Sequence, residues 1–129
     1  FALRAEEPGG RVSALLSGRC HCGAVRITIP AAPDYINDCN CSLCMTRGAI
    51  WGYFSPAAVT ITGKTKNYIR ADLKEPALST HWCAHCGSTT HWTALDPAYD
   101  RMGINIRLFE PEVYATIEIR PVDGRSWGN

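Results

Sequence analysis

Seven cysteines stand in three short clusters whose spacing is typical of metal ligands. Cys20 and Cys22 form a Cys-x-Cys pair near the start of the chain, and Cys83 and Cys86 form a Cys-x-x-Cys pair further on. Between them lie three thiols within six residues, Cys39, Cys41 and Cys44. Since an odd number of cysteines cannot all pair within one chain, disulfides alone do not explain this set.

The two flanking pairs supply four sulfurs, the number that a structural zinc takes in a tetrahedral site. Two thiols at i and i+2 of an extended segment face the same side. A glycine follows the second thiol of each pair, at Gly23 and Gly87, where a positive φ lets backbone amides turn toward sulfur. We therefore predict one closed zinc site, formed by Cys20, Cys22, Cys83 and Cys86. The alternative is a buried set of thiols without metal.

The middle cluster supplies only three sulfurs from one short loop, which leaves the fourth position of an ion open to water or substrate. That arrangement is typical of a catalytic metal, so we predict a second, open zinc with Cys39, Cys41 and Cys44 as catalytic ligands. One alternative is a second structural zinc closed by a histidine, either His91 or His81. Another is a triplet that stays empty or oxidises in the isolated protein.

Short segments of alternating apolar and polar residues predict the strands that must hold these clusters. Val25–Ile29 has this period of two and ends at Pro30. The same pattern recurs in Val59–Thr62, Asn67–Ala71, Ile104–Leu108 and Thr116–Arg120. Ser42–Arg47 favours a single helical turn that Gly48 ends, with Ser42 as its N-cap. The predicted fold class is therefore mainly β, built from short antiparallel strands with minimal helix.

Length, composition and charge limit the function classes. The chain has 129 residues, 46% of them hydrophobic and 19% charged, which suits one packed domain. Its formal net charge of +1 predicts no binding of nucleic acid or of an anionic membrane surface. No apolar stretch approaches the roughly 20 residues that span a bilayer.

The segment 1–14 contains a Pro8-Gly9-Gly10 break and lacks the apolar core of a secretory signal. We expect it to be a flexible N-terminal tail, with residues 15–129 forming the single domain. Many unpaired thiols and no secretory signal indicate a reducing, cytoplasmic location.

Four motifs make the chain resemble the glutathione-dependent formaldehyde-activating (GFA) family, from Gly18 to Trp127. The first motif is Gly18-x-Cys20-His21-Cys22-Gly23-Ala24-Val25, and the second is Cys39-Asn40-Cys41-Ser42-x-Cys44. The others are Trp82-Cys83-x-x-Cys86-Gly87-Ser88 and the closing Asp123-Gly124-Arg125-Ser126-Trp127.

The resemblance implies a β-tent fold stapled by zinc, with two Zn²⁺ sites, the second of them only partly occupied. In the family the outer cysteine pairs hold a structural zinc and the middle triplet holds a catalytic one. The implied activity is that of a carbon–sulfur lyase or synthase acting on S-hydroxymethyl thiols, with glutathione and formaldehyde or a related aldehyde as reactants.

The stretch from Cys44 to Pro56 looks closer to the centromere protein V branch of the family than to the enzyme that named it. The alternative function is therefore a non-catalytic, zinc-stabilised binding module of the centromere protein V type. Oligomeric state is not indicated by any of these features.

A site for glutathione needs cations, because this thiol has two carboxylates and one ammonium. The available cations are Arg47, Lys64, Lys66, Arg70 and Lys74. Arg47 follows Cys44 by three residues and is the predicted substrate-binding residue. The aromatic residues Trp51, Tyr53, Phe54, Trp82 and Trp92 could wall a pocket, but in a short β domain we expect them to fill the core.

Overall fold

A computed structural model describes residues 15–126, which form ten short strands and a few helical turns. The strands are β1 (Leu16–Arg19), β2 (Arg26–Ile29), β3 (Ile36–Cys39), β4 (Trp51–Phe54), β5 (Thr60–Thr62), β6 (Thr65–Ile69), β7 (Leu78–Cys83), β8 (Thr89–Ala94), β9 (Met102–Asn105) and β10 (Ile119–Val122). The helices are α1 (Ser42–Arg47) and α2 (Pro111–Tyr114), with 3₁₀ turns at Pro56–Ala58, Ile106–Leu108 and Gly124–Ser126. The prediction of a mainly β fold is confirmed. The predicted tail, 1–14, and Trp127 lie outside the described residues.

The strands form two sheets. One has three strands in the order β1-β2-β5, and the other has seven in the order β10-β3-β4-β9-β8-β7-β6. Every pair is antiparallel except β10 with β3, which is parallel. The antiparallel prediction therefore holds with one exception. Within residues 15–126 no helix is long and apolar enough to cross a bilayer.

The main hydrophobic core joins residues of both sheets. Val25, Ile27 and Ile29 alternate with more exposed neighbours and are fully buried, as their period of two predicted. The same cluster contains Ile36 and Ile104 from the larger sheet. Burial of this apolar surface holds the two sheets against each other.

Three strand boundaries differ from the sequence prediction. The strand predicted over Ile104–Leu108 stops at Asn105, because the Asn105 side chain accepts a hydrogen bond from the backbone N–H of Arg107 at 3.2 Å and starts a 3₁₀ turn. The strand predicted over Thr116–Arg120 begins only at Ile119, since the turn after α2 continues through Ile117. The strand predicted over Asn67–Ala71 is displaced toward the N-terminus, as β6.

The sequence predicted that the strand over Thr116–Arg120 ends before Pro121, but Pro121 lies inside β10. This strand is at the edge of its sheet, where a residue without an N–H is tolerated. Helix α1 and its end at Gly48 are confirmed, but the N-cap is Cys41 and not Ser42. The Cys41 sulfur accepts a hydrogen bond from the Cys44 N–H at 3.4 Å, so a predicted metal ligand also starts the helix.

Candidate metal centres

The two flanking cysteine pairs meet in space as one four-thiol group. Cys20 and Cys22 lie in the turn between β1 and β2, while Cys83 ends β7 and Cys86 lies in the turn before β8. Their four Sγ atoms lie within 4.8 Å of one another, and Cys22 Sγ is 3.7 Å from both Cys20 Sγ and Cys83 Sγ. Four sulfurs about 2.3 Å from a zinc ion lie about 3.8 Å apart in a regular tetrahedron. The spacing of this group therefore fits zinc.

Backbone amides in the first turn point at sulfur. Val25 N–H donates to Cys20 Sγ at 3.3 Å, and Ala24 N–H donates to Cys22 Sγ at 3.4 Å. Gly23 has a φ of 82°, which reverses the chain so that both amides face the thiols. Such donors stabilise thiolates, the form in which cysteine binds a metal.

The second turn repeats this arrangement. The N–H groups of His85 and Cys86 both donate to Cys83 Sγ at 3.3 Å, and Gly87 has a φ of 85°. The Ser88 hydroxyl lies 3.3 Å from Cys86 Sγ, and this hydrogen bond, together with the backbone N–H groups of Ser88 and Cys22, lowers the pKa of Cys86 to about 5. At neutral pH this thiol is ionised and ready to bind a cation.

The middle cluster forms a second, separate group of three thiols. Cys39 ends β3, Cys41 caps α1 and Cys44 lies within α1, and their Sγ atoms lie within 4.8 Å of one another. Cys41 N–H donates to Cys39 Sγ at 3.5 Å, and Trp51 Nε1–H donates to Cys44 Sγ at 3.3 Å. With the Cys44 N–H on Cys41, each sulfur has one N–H donor. This donor set also suits zinc.

No histidine, aspartate or glutamate within residues 15–126 joins this three-thiol group. The two histidines considered as a fourth ligand, His81 and His91, instead stack on each other with ring centroids 4.2 Å apart. His81 Nε2 lies 2.9 Å from the Thr93 hydroxyl, and His91 Nδ1 lies 2.8 Å from the Thr90 hydroxyl. The described part of the chain therefore leaves the triplet with three protein ligands.

The closing segment of the chain holds the triplet loop in place. The Asn40 side-chain amide donates to Asp123 Oδ1 at 2.9 Å, and its carbonyl oxygen accepts from the Arg125 N–H at 3.0 Å. Arg125 Nε also donates to the Asn40 backbone carbonyl at 2.8 Å. The hydrogen bond from Asn40 lowers the pKa of Asp123, so the carboxylate stays charged over a wider pH range.

All three thiols of the triplet line a cavity of about 530 Å³. Trp51, Tyr53 and Trp92 line it as well. Trp51 is also buried, as the sequence predicted for these aromatic residues, whereas Tyr53 and Trp92 are only half-buried. Trp51 and Tyr53 share one face of β4 because side chains two residues apart point the same way. Gly52 lies between them on the opposite face, where an added Cβ would approach Ile106 and Pro33 at 2.9 Å. The sheet thus turns two aromatic rings toward the thiols.

The hydroxyl of Tyr53 is a polar group of this cavity that sequence reasoning left without a role. It accepts a hydrogen bond from the Asn37 side-chain amide at 2.9 Å. Burial raises the pKa of Tyr53, so the hydroxyl keeps its proton at neutral pH. Since Asn37 occupies a lone pair, the Tyr53 proton is available to an oxygen atom of a ligand.

The cations of the cavity are Arg70 and Arg101. Arg47, the predicted substrate-binding residue, is not in the cavity wall: its Nη1 donates to the Leu43 carbonyl at 3.5 Å, and its guanidinium lies 5.5 Å from the centre of the Tyr68 ring. Arg70 was among the cations considered from the sequence, whereas Arg101 was missed. No local motif marks Arg101, because only the pairing of β4 with β9 brings it to this wall.

Comparison with known protein families matches residues 15–121 to the family described as glutathione-dependent formaldehyde-activating enzyme. The chain therefore belongs to the GFA family, as its motifs indicated. Among solved structures, a crystal structure of a Rhodobacter sphaeroides protein is similar to this chain, with a TM-score of 0.62 and 24% sequence identity. The match covers 81% of this chain and 99% of that one, and it shows a shared fold. Comparison with curated proteins found no match.

Proposed function

We propose that this protein is a zinc-dependent carbon–sulfur lyase or synthase acting on S-hydroxymethyl adducts of thiols. The family description suggests glutathione and formaldehyde, or a related aldehyde, as reactants. One observation carries the proposal: three thiols face a common cavity, and no fourth ligand joins them from residues 15–126. A structural site would instead be closed by four protein ligands.

Two Zn²⁺ ions belong to this proposal, a structural one on Cys20, Cys22, Cys83 and Cys86 and a second one on the triplet. Zinc on three thiolates would stabilise the thiolate form of an incoming thiol near neutral pH, and it would be a weak Lewis acid because the thiolates donate charge. We also propose a reducing compartment, the cytoplasm, since such compartments keep thiols available as metal ligands. We also propose that the chain belongs to the centromere protein V-like branch of the family.

The reaction makes or breaks one carbon–sulfur bond. In cleavage, the C–S bond of R–S–CH₂OH breaks, sulfur keeps the electron pair as a thiolate, and the hydroxyl loses its proton as the carbonyl forms. In synthesis, the thiolate adds to the aldehyde carbon and the new alkoxide takes up a proton. Both directions develop charge on the same oxygen atom, which a hydrogen-bond donor would stabilise.

Tyr53 is the candidate donor to that oxygen. Its hydroxyl is protonated at neutral pH, burial raises its pKa further, and the Asn37 amide orients it by occupying a lone pair. Trp51 separates this hydroxyl from the triplet along β4, and its indole N–H holds Cys44 Sγ in position.

The test compares the rate of S-hydroxymethylglutathione formation and breakdown with and without zinc-loaded protein, for example by NMR exchange. We expect acceleration above the spontaneous rate, lost in Cys41→Ser and kept in the adjacent Ser42→Ala, whose side chain is exposed. We also expect glutathione to shift the visible spectrum of the cobalt-substituted triplet. A spontaneous rate together with an invariant cobalt spectrum would refute the enzyme and favour a non-catalytic binding module.

A further inference from the structure

The cavity next to the triplet has an unusual balance of charge. Of the residues that the structure describes, two arginines and no carboxylate line it. Arg70 is already neutralised, because its Nε and Nη2 donate to the two carboxylate oxygens of Asp72 at 3.0 and 2.7 Å. This bidentate pair uses the side of the guanidinium that would otherwise grip an anion. The only other arginine in the cavity wall is Arg101.

Arg101 forms no ion pair with any side chain of residues 15–126. Its Nη2 donates to the Tyr35 hydroxyl at 2.7 Å, and its guanidinium carbon lies 4.2 Å from the centre of the Tyr53 ring. The side chain is half-buried, and these two contacts fix its position. A guanidinium has five N–H donors, so others remain for a ligand. A fixed, partly desolvated cation of this kind is suited to an anion.

The thiols and Arg101 lie at opposite ends of an aromatic wall. Trp51 contacts Cys44 through its indole N–H, and Tyr53 stands two residues further along β4 against Arg101. Two residues of a strand span about 7 Å. Trp92 packs edge-on against Tyr53, with ring centroids 6.0 Å apart, and extends the wall. A ligand with sulfur at one end and an anion at the other would lay its middle against these rings.

We propose, on the basis of the proposed function, that the thiol handled here is a monocarboxylate with an apolar, ring-sized body, and that Arg101 binds its carboxylate. Glutathione has a second carboxylate and an ammonium, and the cavity wall offers neither a second unpaired cation nor an acidic partner among the described residues. Arg101 is thus the residue that determines specificity. Glutathione is expected to be a poorer thiol than such a monocarboxylate.

The test uses the zinc-loaded protein, formaldehyde and three thiols. These are 4-(sulfanylmethyl)benzoate, with sulfur and carboxylate at opposite ends of one ring, its carboxamide, and glutathione. Because a hydrogen bond to a charged group contributes about 1.5–3 kcal/mol, we expect kcat/KM for the benzoate to exceed that for the benzamide by at least about tenfold. Arg101→Met should reduce the preference to less than about twofold, and Arg101→Lys should restore part of it.

Arg26→Met is the matched control, since Arg26 is exposed on β2 of the other sheet and is not in the cavity wall. It should keep the full preference. Activity on all three thiols without a preference for the carboxylate, or a preference that survives Arg101→Met, would overturn this inference and leave the lyase proposal intact. Higher kcat/KM for glutathione than for the benzoate would overturn it as well.

Calorimetric titration with the unreactive S-methyl thioethers of the benzoate and the benzamide separates binding from catalysis. The wild-type protein should bind the benzoate thioether at least about tenfold more tightly than the benzamide thioether. Equal binding would refute the anion site even if no thiol reacts. Conversely, Arg101-dependent binding without turnover would support the anion site and refute the lyase.

Discussion

The stacked histidines of β7 and β8 make the stability of this fold depend on pH. His91 is only 6% exposed, and burial, reinforced by the neighbouring His81, lowers the pKa of His91 to about 3. The folded protein therefore keeps this ring neutral, while the unfolded chain protonates it near the ordinary histidine pKa of about 6.5. The stabilising contribution is complete above pH 6.5 and is lost as the pH falls toward 3, since the unfolded state then binds more protons.

The size of the effect follows from the two pKa values. At pH 7.5 the His91 ring is almost entirely neutral in both the folded and the unfolded state. At pH 5.5, about one unit below the histidine pKa of the unfolded chain, protonation of this ring stabilises the unfolded state only. The free energy of unfolding is therefore expected to fall by about 1.4 kcal/mol between these pH values through His91 alone. The substitution His91→Gln replaces the ring by a side chain that does not titrate, so it should remove this part of the pH dependence of the free energy of unfolding.

Urea unfolding of zinc-loaded wild type and His91→Gln at pH 7.5 and 5.5, followed by tryptophan fluorescence, measures the difference. The two proteins share all seven cysteines, so titration of the metal ligands cancels in the comparison. Zinc content should be the same in both. An identical pH dependence in the two proteins would refute the role of His91 burial, and loss of one zinc from His91→Gln would mean that this histidine is a metal ligand.

Three further predictions concern the thiols and the cavity wall. Cys83→Ser should lower the free energy of unfolding by about 5 kcal/mol or more, because it opens the four-thiol site within the core, whereas Cys41→Ser should cost only about 1–2 kcal/mol and release one metal. Both are measured by urea unfolding and metal analysis. Gly103→Ala should cost about 1–3 kcal/mol and displace the Trp92 ring, since the new Cβ would lie 2.6 Å from its Cε2. Trp51→Phe removes the indole N–H from the triplet and should shift the cobalt–thiolate absorption while the protein stays folded.

Each of these has a clear contrary result. Equal destabilisation by the two serine variants would contradict separate structural and open sites. A Gly103→Ala protein with wild-type stability and unchanged tryptophan emission would contradict the close packing of β9 against the ring. An unchanged cobalt spectrum in Trp51→Phe would show that the indole does not bond to sulfur.

The division of the cysteines could be predicted from their local spacing together with the four ligands that a structural zinc takes. A pair of thiols followed by glycine favours a tight turn, and Gly23 and Gly87 both adopt the positive φ that this turn requires. The alternation of apolar and polar residues over Val25–Ile29, whose apolar side chains are buried, is also a local feature of the sequence. The two turns and the buried face of β2 need no knowledge of which strands are neighbours, whereas the meeting of the two cysteine pairs, 61 residues apart at Cys22 and Cys83, does.

The cavity wall could not be predicted in the same way, because it depends on strand pairing. Tyr53 lies opposite Gly103 in the β4–β9 register, and this brings Arg101 against its ring from almost 50 residues away along the chain. Arg47 looked favourable because it is near Cys44 in sequence, but α1 turns it toward Tyr68. Closeness to Cys44 in sequence therefore does not place Arg47 in the cavity wall.

Two predicted strand ends were wrong, at Asn105 and at Pro121, where the side chain changes the backbone hydrogen bonding. The apolar pattern of Ile104–Leu108 favoured a continuous strand, and the Asn105 side chain overrode it by capping a 3₁₀ turn. Pro121 looked like a terminator, but its place at a sheet edge removes the need for its N–H.

X-ray absorption at the zinc edge, combined with metal analysis, tests the central claim most directly. We predict two zinc ions per chain, one bound by four sulfurs and the other by three sulfurs and one exchangeable lighter ligand, which an added thiol replaces with a fourth sulfur. A single zinc per chain, or a second zinc with a fourth protein ligand that no thiol displaces, would contradict the account.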